Sequence, residues 1–174
     1  ATIRGACLGL NLADKYEPRA TWGLDLQNKE DGKEKKLWLP AGLVIPWVVN
    51  GDLQRLRFRR SDPGDGARYV TASGSSMTPA AWNLERGAAV IVESELDGLL
   101  LSQETGDFCA VVALGSATSK TNKESHDLLR AMPIILVALD TDEAGAKAAW
   151  KFWPDTYGKA ARRWPTVKGK DASE

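Results

Sequence analysis

The sequence has few of the residues that build covalent cross-links or soft-metal sites. It contains two cysteines and one histidine in 174 residues. These are too few cysteines for a disulfide framework and too few Cys and His ligands for a zinc site. Its longest apolar runs, such as 43–49 and 133–139, are far shorter than the about 20 residues of a membrane-spanning helix. No basic and then apolar series opens the chain as in a signal peptide. We therefore expect a cytoplasmic protein with no membrane partner.

Net charge is also absent, since 23 Lys and Arg balance 23 Asp and Glu. The balance shifts along the chain: residues 1–87 carry 13 basic and 10 acidic side chains, and residues 88–174 carry 10 and 13. These opposite net charges favour a mildly basic first part and an acidic site in the second. Random variation accounts equally well for an excess of three charges in each part. We predict two domains, 1–87 and 88–174.

The first domain has the pattern of β structure. An apolar run from Gly42 to Val49 is followed by Asn50-Gly51, the strongest short hairpin signal, and then by alternating apolar and polar residues from Leu53 to Phe58. These features predict a hairpin. A further short strand is predicted over 68–70, and the polar segment 29–36 is predicted to be an exposed loop.

The second domain has the pattern of an α/β fold. Three nearly all-apolar segments, 88–92, 110–114 and 134–139, alternate with helical patterns over 95–102, 122–130 and 143–152. Strands that are apolar at every position are typical of a parallel sheet that is covered on both faces. We therefore predict a parallel sheet with helices on both sides.

Acidic residues follow the predicted strands at the edge where ligands gather in α/β sheets. They are Glu93, Asp97, Asp140, Asp142 and, near the end of the chain, Asp171. Carboxylates that converge repel one another unless cations lie among them. With oxygen ligands alone, Mg²⁺ or Mn²⁺ fits best, and the chemistry would be nucleotidyl or phosphoryl transfer or phosphodiester hydrolysis. Each acid taken singly could instead be a solvated residue of a turn or helix end.

Four segments containing these acids carry a family resemblance. They are Val90-Ile-Val-Glu93-Ser-Glu-Leu-Asp97-Gly-Leu, Ala113-Leu-Gly115-Ser, Val137-Ala-Leu-Asp140-Thr-Asp142-Glu-Ala-Gly145 with the Ala-rich helix after it, and Gly169-Lys-Asp171-Ala-Ser-Glu174. In this order they resemble the TOPRIM domain of DnaG-type primases, topoisomerases and some nucleases, and the Asp-x-Asp-x-x-Gly form is closest to primases. The resemblance implies an α/β TOPRIM fold after a small mixed α+β subdomain.

The same resemblance implies roles for the acids. It makes Glu93 an acid/base residue or a metal ligand, and Asp97, Asp140, Asp142 and Asp171 ligands of Mg²⁺ or Mn²⁺. Catalysis would rest on Glu93, Asp140 and Asp142. Glu95, between two of these acids, has a sufficient structural role as an acid at the start of a helix.

The first domain resembles the RNA-polymerase-basic subdomain that precedes TOPRIM in DnaG-type primases. The similar segments are Leu39-Pro-Ala-Gly42-Leu-Val-Ile-Pro46, Asn50-Gly51, Leu56-Arg-Phe-Arg59-Arg60 and Arg68-Tyr69-Val. Their arginines, Arg57, Arg59, Arg60 and Arg68, are candidates for binding template or nucleotide phosphates, as are Lys168 and Lys170. Alternation places Arg57 and Arg59 on one strand face and Arg60 past the strand end. The alternative role of these arginines is to keep the sheet soluble.

The combined resemblance predicts the catalytic core of a DnaG-like DNA primase that makes RNA primers. Its partners would be a single-stranded DNA template, nucleoside triphosphates and, through regions missing from this chain, a replicative helicase. The zinc-binding and helicase-binding regions of such primases are not in the sequence, so we expect a fragment. Two alternatives remain: a TOPRIM nuclease, and a non-catalytic module that binds nucleic acid or nucleotide in a phage or mobile-element replication protein.

Overall fold

In a computed structural model of the chain, residues 5–116, 121–140, 142–165 and 169 are described. The chain divides into two compact units, Ala1–Met77 and Thr78–Glu174. The division lies ten residues before the predicted boundary between 87 and 88, because a short strand, Ala80–Trp82, pairs within the sheet of the second unit. Among the described helices, none has the length and apolar character needed to cross a membrane.

The first unit, as far as the structure describes it, is built mainly from β-strands and includes a short 3₁₀ helix. Its elements are β1 (Gly9–Asn11), β2 (Lys15–Glu17), the 3₁₀ helix Arg19–Trp22, β3 (Leu37–Leu39), β4 (Gly42–Val49), β5 (Asp52–Arg60) and β6 (Tyr69–Thr71). Four of the strands form an antiparallel sheet in the order β1-β4-β5-β6, and β2 pairs with β3. The polar segment 29–36 is an exposed loop, as predicted.

The predicted hairpin at Asn50-Gly51 is confirmed. Both residues have positive φ, 52° and 90°, as tight turns between antiparallel strands require. Alternation along β5 sends Leu56 and Phe58 into the core of this unit, where Phe58 is 1% exposed. The strand runs on through Arg60, so the expectation that Arg60 lies past the strand end is wrong.

The second unit alternates strands and helices. Its elements are β7 (Ala80–Trp82), β8 (Ala88–Val92), α1 (Glu95–Thr105), β9 (Ala110–Ala113), α2 (Lys123–Arg130), β10 (Ile134–Val137), α3 (Glu143–Lys147), a π-helical turn (Ala148–Phe152), α4 (Trp153–Tyr157), the 3₁₀ helix Gly158–Ala160 and β11 (Ala161–Arg163). The sheet has the order β11-β10-β8-β9-β7. The first four of these strands are parallel, and β7 is an antiparallel edge strand.

Helices cover both faces of this sheet, as the apolar strands predicted. On one face, Ile91, Val112 and Ile135 pack with Leu129 of α2 and with Trp153 at the start of α4. On the other face, α1 lies against β7 and β9. The predicted α/β fold is confirmed.

The helical segment after β10 is less regular than the predicted helix over 143–152. It consists of α3, the π-helical turn and α4, and Ala149 and Trp153 anchor it in the core. Pro154 has no N–H to donate to the carbonyl of Trp150, four residues earlier, so regular α-helical bonding cannot continue through this point. The proline therefore accounts for an irregularity that the sequence pattern did not reveal.

Candidate active site

Two predicted catalytic acids follow neighbouring parallel strands. Glu93 comes directly after β8, and Asp140 follows β10. The two strands pair in register, with Ile91 opposite Val137, and the N–H of Ala138 donates to the carbonyl of Ile91 at 2.9 Å. Neighbouring strands lie about 4.8 Å apart, so the register brings both half-buried acids to the same carboxyl edge of the sheet.

Asp97 is held in place by a helix cap. Ser94 is the N-cap of α1, and its Oγ accepts a hydrogen bond from the backbone N–H of Asp97 at 3.2 Å. The same hydroxyl donates to Oδ2 of Asp97 at 2.7 Å. Asp97 is 5% exposed, and the N-terminus of a helix favours its negative charge. Sequence reasoning missed Ser94, although a serine three residues before an acid is a known capping pattern.

Gly98 sets how closely α1 approaches the sheet. A Cβ at this position would lie 2.6 Å from Cζ3 of Trp82 and 3.1 Å from Cβ of Ala113. Any other residue would therefore push the first turn of the helix away from the strands. The glycine that follows Asp97 thus helps to place the Asp97 carboxylate near the carboxyl edge.

Asp142 begins the next helical segment in a similar way. Its Oδ1 accepts from the N–H of Gly145 at 2.8 Å, and its carbonyl accepts from the N–H of Ala146 at 2.9 Å. A Cβ on Gly145 would lie 2.1 Å from the carbonyl oxygen of Asp140. The glycine of the Asp-x-Asp-x-x-Gly motif is therefore required by close backbone packing, which fixes Asp140 against the helix that Asp142 caps.

The metal-binding roles of these acids stay predictions. Glu93, Asp97, Asp140 and Asp142 offer carboxylate oxygens, the donors that Mg²⁺ and Mn²⁺ prefer. Within the part of the chain that the structure describes, no three His, Cys, Asp or Glu side chains group closely enough to hold a metal ion. The fifth predicted ligand, Asp171, lies outside the described residues, as do Lys168 and Lys170.

In the first unit, arginines share one face of the antiparallel sheet. Arg57 and Arg59 are two residues apart on β5 and lie on the same side, as predicted. Arg55, which the sequence analysis did not select, lies on this face too and is 4% exposed. The guanidinium carbon of Arg57 is 4.7 Å from the ring centroid of Tyr69, and that of Arg55 is 5.4 Å from the ring of Trp47. Cation–π contacts of this kind orient guanidinium groups.

The other two predicted arginines have different surroundings. Arg60 belongs to the opposite face of β5, and its Nη1 donates to the carbonyls of Pro63 at 2.9 Å and Ala67 at 3.4 Å. Its guanidinium carbon also lies 5.7 Å from the ring of Trp38. Arg68 is exposed just before β6, and its carbonyl accepts from the N–H of Arg60 at 2.8 Å. Arg60 therefore braces the loop after β5, in addition to any role at phosphates.

A family model matches most of the second unit. Residues 90–174 match the family described as Toprim-like. The match covers just under half of the chain, and this segment is called the Toprim-like domain below after that match. All five predicted metal-binding acids fall within it, and the matched region begins inside β8, two residues after the strand starts.

Similar proteins extend the likeness beyond the Toprim-like domain. A DNA primase of Pseudomonas putida is 36% identical in an alignment 87 residues long that covers 47% of this chain and 13% of that protein. A DNA primase domain from Pseudomonas aeruginosa superposes with a TM-score of 0.66 at 21% identity, covering 98% of this chain and 61% of that one. A DnaG primase catalytic domain bound to single-stranded DNA superposes with a TM-score of 0.64 at 15% identity, and the superposition covers 98% of this chain and 63% of that one.

These comparisons confirm the predicted resemblance and fold. Nearly the whole chain, the Toprim-like domain and the preceding unit together, shares its fold with DnaG-type primase catalytic domains. The chain spans 13% of the curated relative and 61% of the first of these solved structures, so the activity of a whole primase is a matter for proposal.

Proposed function

We propose that this chain is the catalytic core of a DnaG-like DNA primase, which synthesises short RNA primers on single-stranded DNA by metal-dependent nucleotidyl transfer. The observation that carries the proposal is the arrangement at the carboxyl edge of the Toprim-like domain. There, Glu93 and Asp140 follow neighbouring parallel strands at the same edge of the sheet, and helix caps involve Asp97 and Asp142. The fold shared with DnaG catalytic domains over 98% of the chain supports it.

The proposed reaction joins a ribonucleotide to the growing primer. The 3′-hydroxyl oxygen attacks the α-phosphorus of the incoming triphosphate, a new phosphodiester bond forms, and the bond to the leaving pyrophosphate breaks. Glu93 accepts the proton of the attacking hydroxyl. Its half-buried position directly after β8 suits a group that must face a bound substrate and still exchange protons with water.

Metal ions fit the remaining acids chemically. Toprim domains and primases generally use divalent metals, and Asp97, Asp140, Asp142 and Asp171 would hold Mg²⁺ or Mn²⁺. When bound, such ions neutralise the triphosphate and stabilise the charge that develops during transfer. The hydrogen bond from Ser94 fixes Asp97 before any ligand arrives, which lowers the cost of ordering it on binding.

The arginine face of the first unit is proposed to hold phosphates of the template or nucleotide. Arg57 is oriented by Tyr69, and Arg59 is exposed on the same face. Planar guanidinium groups bind phosphate oxygens through two parallel hydrogen bonds. Arg68, Lys168 and Lys170 complete the proposed set, and Arg60 contributes chiefly by bracing its loop. A replicative helicase would be contacted through regions outside this chain.

The test is primer synthesis by this chain with single-stranded DNA, labelled nucleoside triphosphates and Mn²⁺ or Mg²⁺, resolved on a denaturing gel. We expect short template-dependent products from the unchanged protein and none from Asp140→Asn. The matched control is Asp107→Asn, an exposed acid just before β9 at the opposite edge of the sheet, which should keep full synthesis. Circular dichroism and thermal unfolding establish that both variants fold.

Other outcomes overturn the proposal. Synthesis that survives in Asp140→Asn would contradict the assignment of the site. Metal-dependent cutting of the template without synthesis, lost in Asp140→Asn, would make the protein a Toprim nuclease. Metal and DNA binding with neither reaction would make it a binding module.

A further inference from the structure

An exposed tryptophan stands at the outer edge of the second unit, away from the strand ends that carry the acids. Trp150 belongs to the π-helical turn and is 67% exposed. The guanidinium carbon of Arg163, on the edge strand β11, lies 4.3 Å from the centroid of its ring. Leaving so large an apolar ring in water costs stability that burial would recover, and the arginine holds the ring in one orientation.

The surroundings of Trp150 are strongly basic. Residues 143–165 contain five Lys and Arg against two Asp and Glu, although the second half of the chain as a whole has three more acids than bases. All five cations are exposed. None of them forms an ion pair with a described residue. Charge in this unit is therefore segregated, with acids at the carboxyl edge and unpaired cations beside the exposed indole.

The topology gathers these residues along one border of the sheet. Because β11 is an edge strand, one side of its backbone has no neighbouring strand among the described residues. Arg163 pairs with Val137, whose side chain faces the core beneath the π-helical turn. Arg162 projects to the opposite face. Trp164 follows and is 42% exposed. Its backbone N–H donates to the carbonyl of Val137 at 2.9 Å.

We propose that this border binds single-stranded DNA. The binding surface, here called the basic-aromatic edge, consists of Lys147, Trp150, Lys151, Arg162, Arg163 and Trp164. Unpaired bases would stack on the two indoles, and the cations would contact the phosphates. Aromatic rings interleaved with basic side chains are what proteins use to bind single strands without sequence preference, since every base offers a flat face.

The composition of the edge favours a nucleic acid over a protein partner. Trp and Arg occur in protein interfaces too, but the core of such an interface is apolar and depleted of charge, whereas the edge has four cations, no acid and, among its six residues, two apolar rings only. A duplex hides the faces of its bases and would leave the indoles unused. The choice of DNA over RNA rests on the proposed function, in which the template is single-stranded DNA.

The position of the edge gives it a role distinct from that of the acids. Trp150 lies eight residues after Asp142 in the same helical segment, which is roughly 12 Å along the axis. β11 is separated from β8, the strand that leads to Glu93, by β10. Single-stranded DNA bound here would be held beside the carboxyl edge of the sheet without entering it. The proposed role of the basic-aromatic edge is therefore to retain DNA.

The experiment measures binding without catalysis. The 174-residue protein is titrated into fluorescently labelled oligo(dT), longer than the about 4–16 nucleotides of a typical single-strand site, in EDTA and without nucleotides, and anisotropy is read at several salt concentrations. Trp150→Ala should weaken binding at least about fivefold, and Trp150→Phe less. Arg163→Gln should lower the slope of log affinity against log salt by about 0.7.

Matched controls lie elsewhere on the same unit. Phe108→Ala removes an aromatic ring that is 79% exposed, and Lys123→Gln removes a cation that is 92% exposed. Both should bind oligo(dT) like the unchanged protein. Circular dichroism establishes that each variant is folded.

Three results would overturn the proposal: Trp150→Ala and Arg163→Gln binding as tightly as the controls, equal weakening by Phe108→Ala, or a duplex competing as well as oligo(dT). Preference for oligo(U) over oligo(dT) would overturn the choice of DNA. The outcome is separable from that of the proposed function. If Trp150→Ala binds normally while Asp140→Asn abolishes synthesis, the edge fails and the primase proposal stands. If Trp150→Ala weakens binding and the unchanged protein forms no primers, the basic-aromatic edge stands and the primase proposal fails.

Discussion

The two larger sheets of this protein, one in each unit, carry their charged residues in different ways. In the parallel sheet, every residue of β9 is buried, and the acids come only after the strands, at Glu93 and Asp140. In the antiparallel sheet, β5 itself carries arginines on one face and core residues such as Phe58 on the other. A sheet covered on both faces leaves polar groups room at the ends of its strands and on its edge strands, such as β11 with Arg162 and Arg163, whereas a sheet with one core face can display them along its length. The parallel sheet thus concentrates its acids at one end of its strands, and the antiparallel sheet spreads its arginines over a face.

The largest expected effects test whether the cores of the two units are equally tightly packed. Phe58→Ala in the first unit and Trp153→Ala in the second each remove a ring that is 1% exposed. Each should lower the free energy of unfolding by about 3–5 kcal/mol, since a cavity is left in a packed core. Urea denaturation followed by circular dichroism measures the loss. A cost below about 1 kcal/mol at either position would show that its core is loosely packed.

A smaller loss is expected where backbone packing supports the acids. Gly145→Ala places a Cβ against the carbonyl of Asp140 and should destabilise the protein by about 1–3 kcal/mol. Primer synthesis should fall with it, because Asp140 must move. The control is Gly87→Ala, which has open space around its Cβ and no positive φ. Thermal unfolding and the synthesis assay give both readouts, and equal behaviour of the two variants would contradict the packing argument.

The two helix caps of the second unit offer a matched pair. Ser94 caps α1 and bonds Asp97, while Asn122 caps α2 and accepts from the N–H of Ser125 at 2.9 Å. Ser94→Ala and Asn122→Ala should each cost about 1 kcal/mol of stability. Only Ser94→Ala should also reduce primer synthesis, because it releases a carboxylate of the site. Loss of synthesis in both variants would mean that stability, and not the position of Asp97, limits the reaction.

The smallest effect belongs to the first unit and depends on pH. The N–H of Ala41 and Nε1 of Trp38 donate to the carboxylate of Asp14, at 2.8 and 2.9 Å, and these bonds lower the pKa of Asp14 below its ordinary 3.8. A lowered pKa stabilises the fold above the unfolded value, and this stability is lost as the pH falls through the folded value.

Asp14→Asn should therefore reduce the dependence of unfolding on pH below about pH 5 and leave the slope near neutrality unchanged. Denaturation midpoints measured over a pH series give both slopes. Asp31→Asn, an acid on the exposed loop 29–36, is the control. An unchanged acid dependence in Asp14→Asn would show that other carboxylates set it.

The predictable parts of the structure are those with strong local chemistry. Asn50-Gly51 fixed the hairpin because its two residues readily adopt positive φ, and the apolar strands 88–92 and 110–113 indicated a covered parallel sheet. The edge strands β7 and β11 were not predicted, since three residues such as Ala161–Arg163 contain no alternation to detect. The break in the last helical segment depends on Pro154, whose effect appears four residues upstream.

The candidate site was predictable to a similar extent. Glu93 and Asp140 could be placed because parallel strands end at one edge, which follows from topology alone. The hydrogen bond from Ser94 to Asp97 and the approach of Gly145 to Asp140 depend on three-dimensional packing. Arg55 was overlooked although it lies on the same face of β5 as Arg57 and Arg59. Its burial depends on Trp47 of the neighbouring strand, which the sequence of β5 alone does not show.

The short edge strand β11 also bears on self-association. An apolar sheet with an open border can pair with a second copy and grow into aggregates. Here the border strand is three residues long and places Arg162 and Arg163 on opposite faces. Joining two such borders would bring four guanidinium groups together with no acid between them, so the repulsion protects the most hydrophobic sheet of the protein from edge-to-edge stacking in the crowded cell.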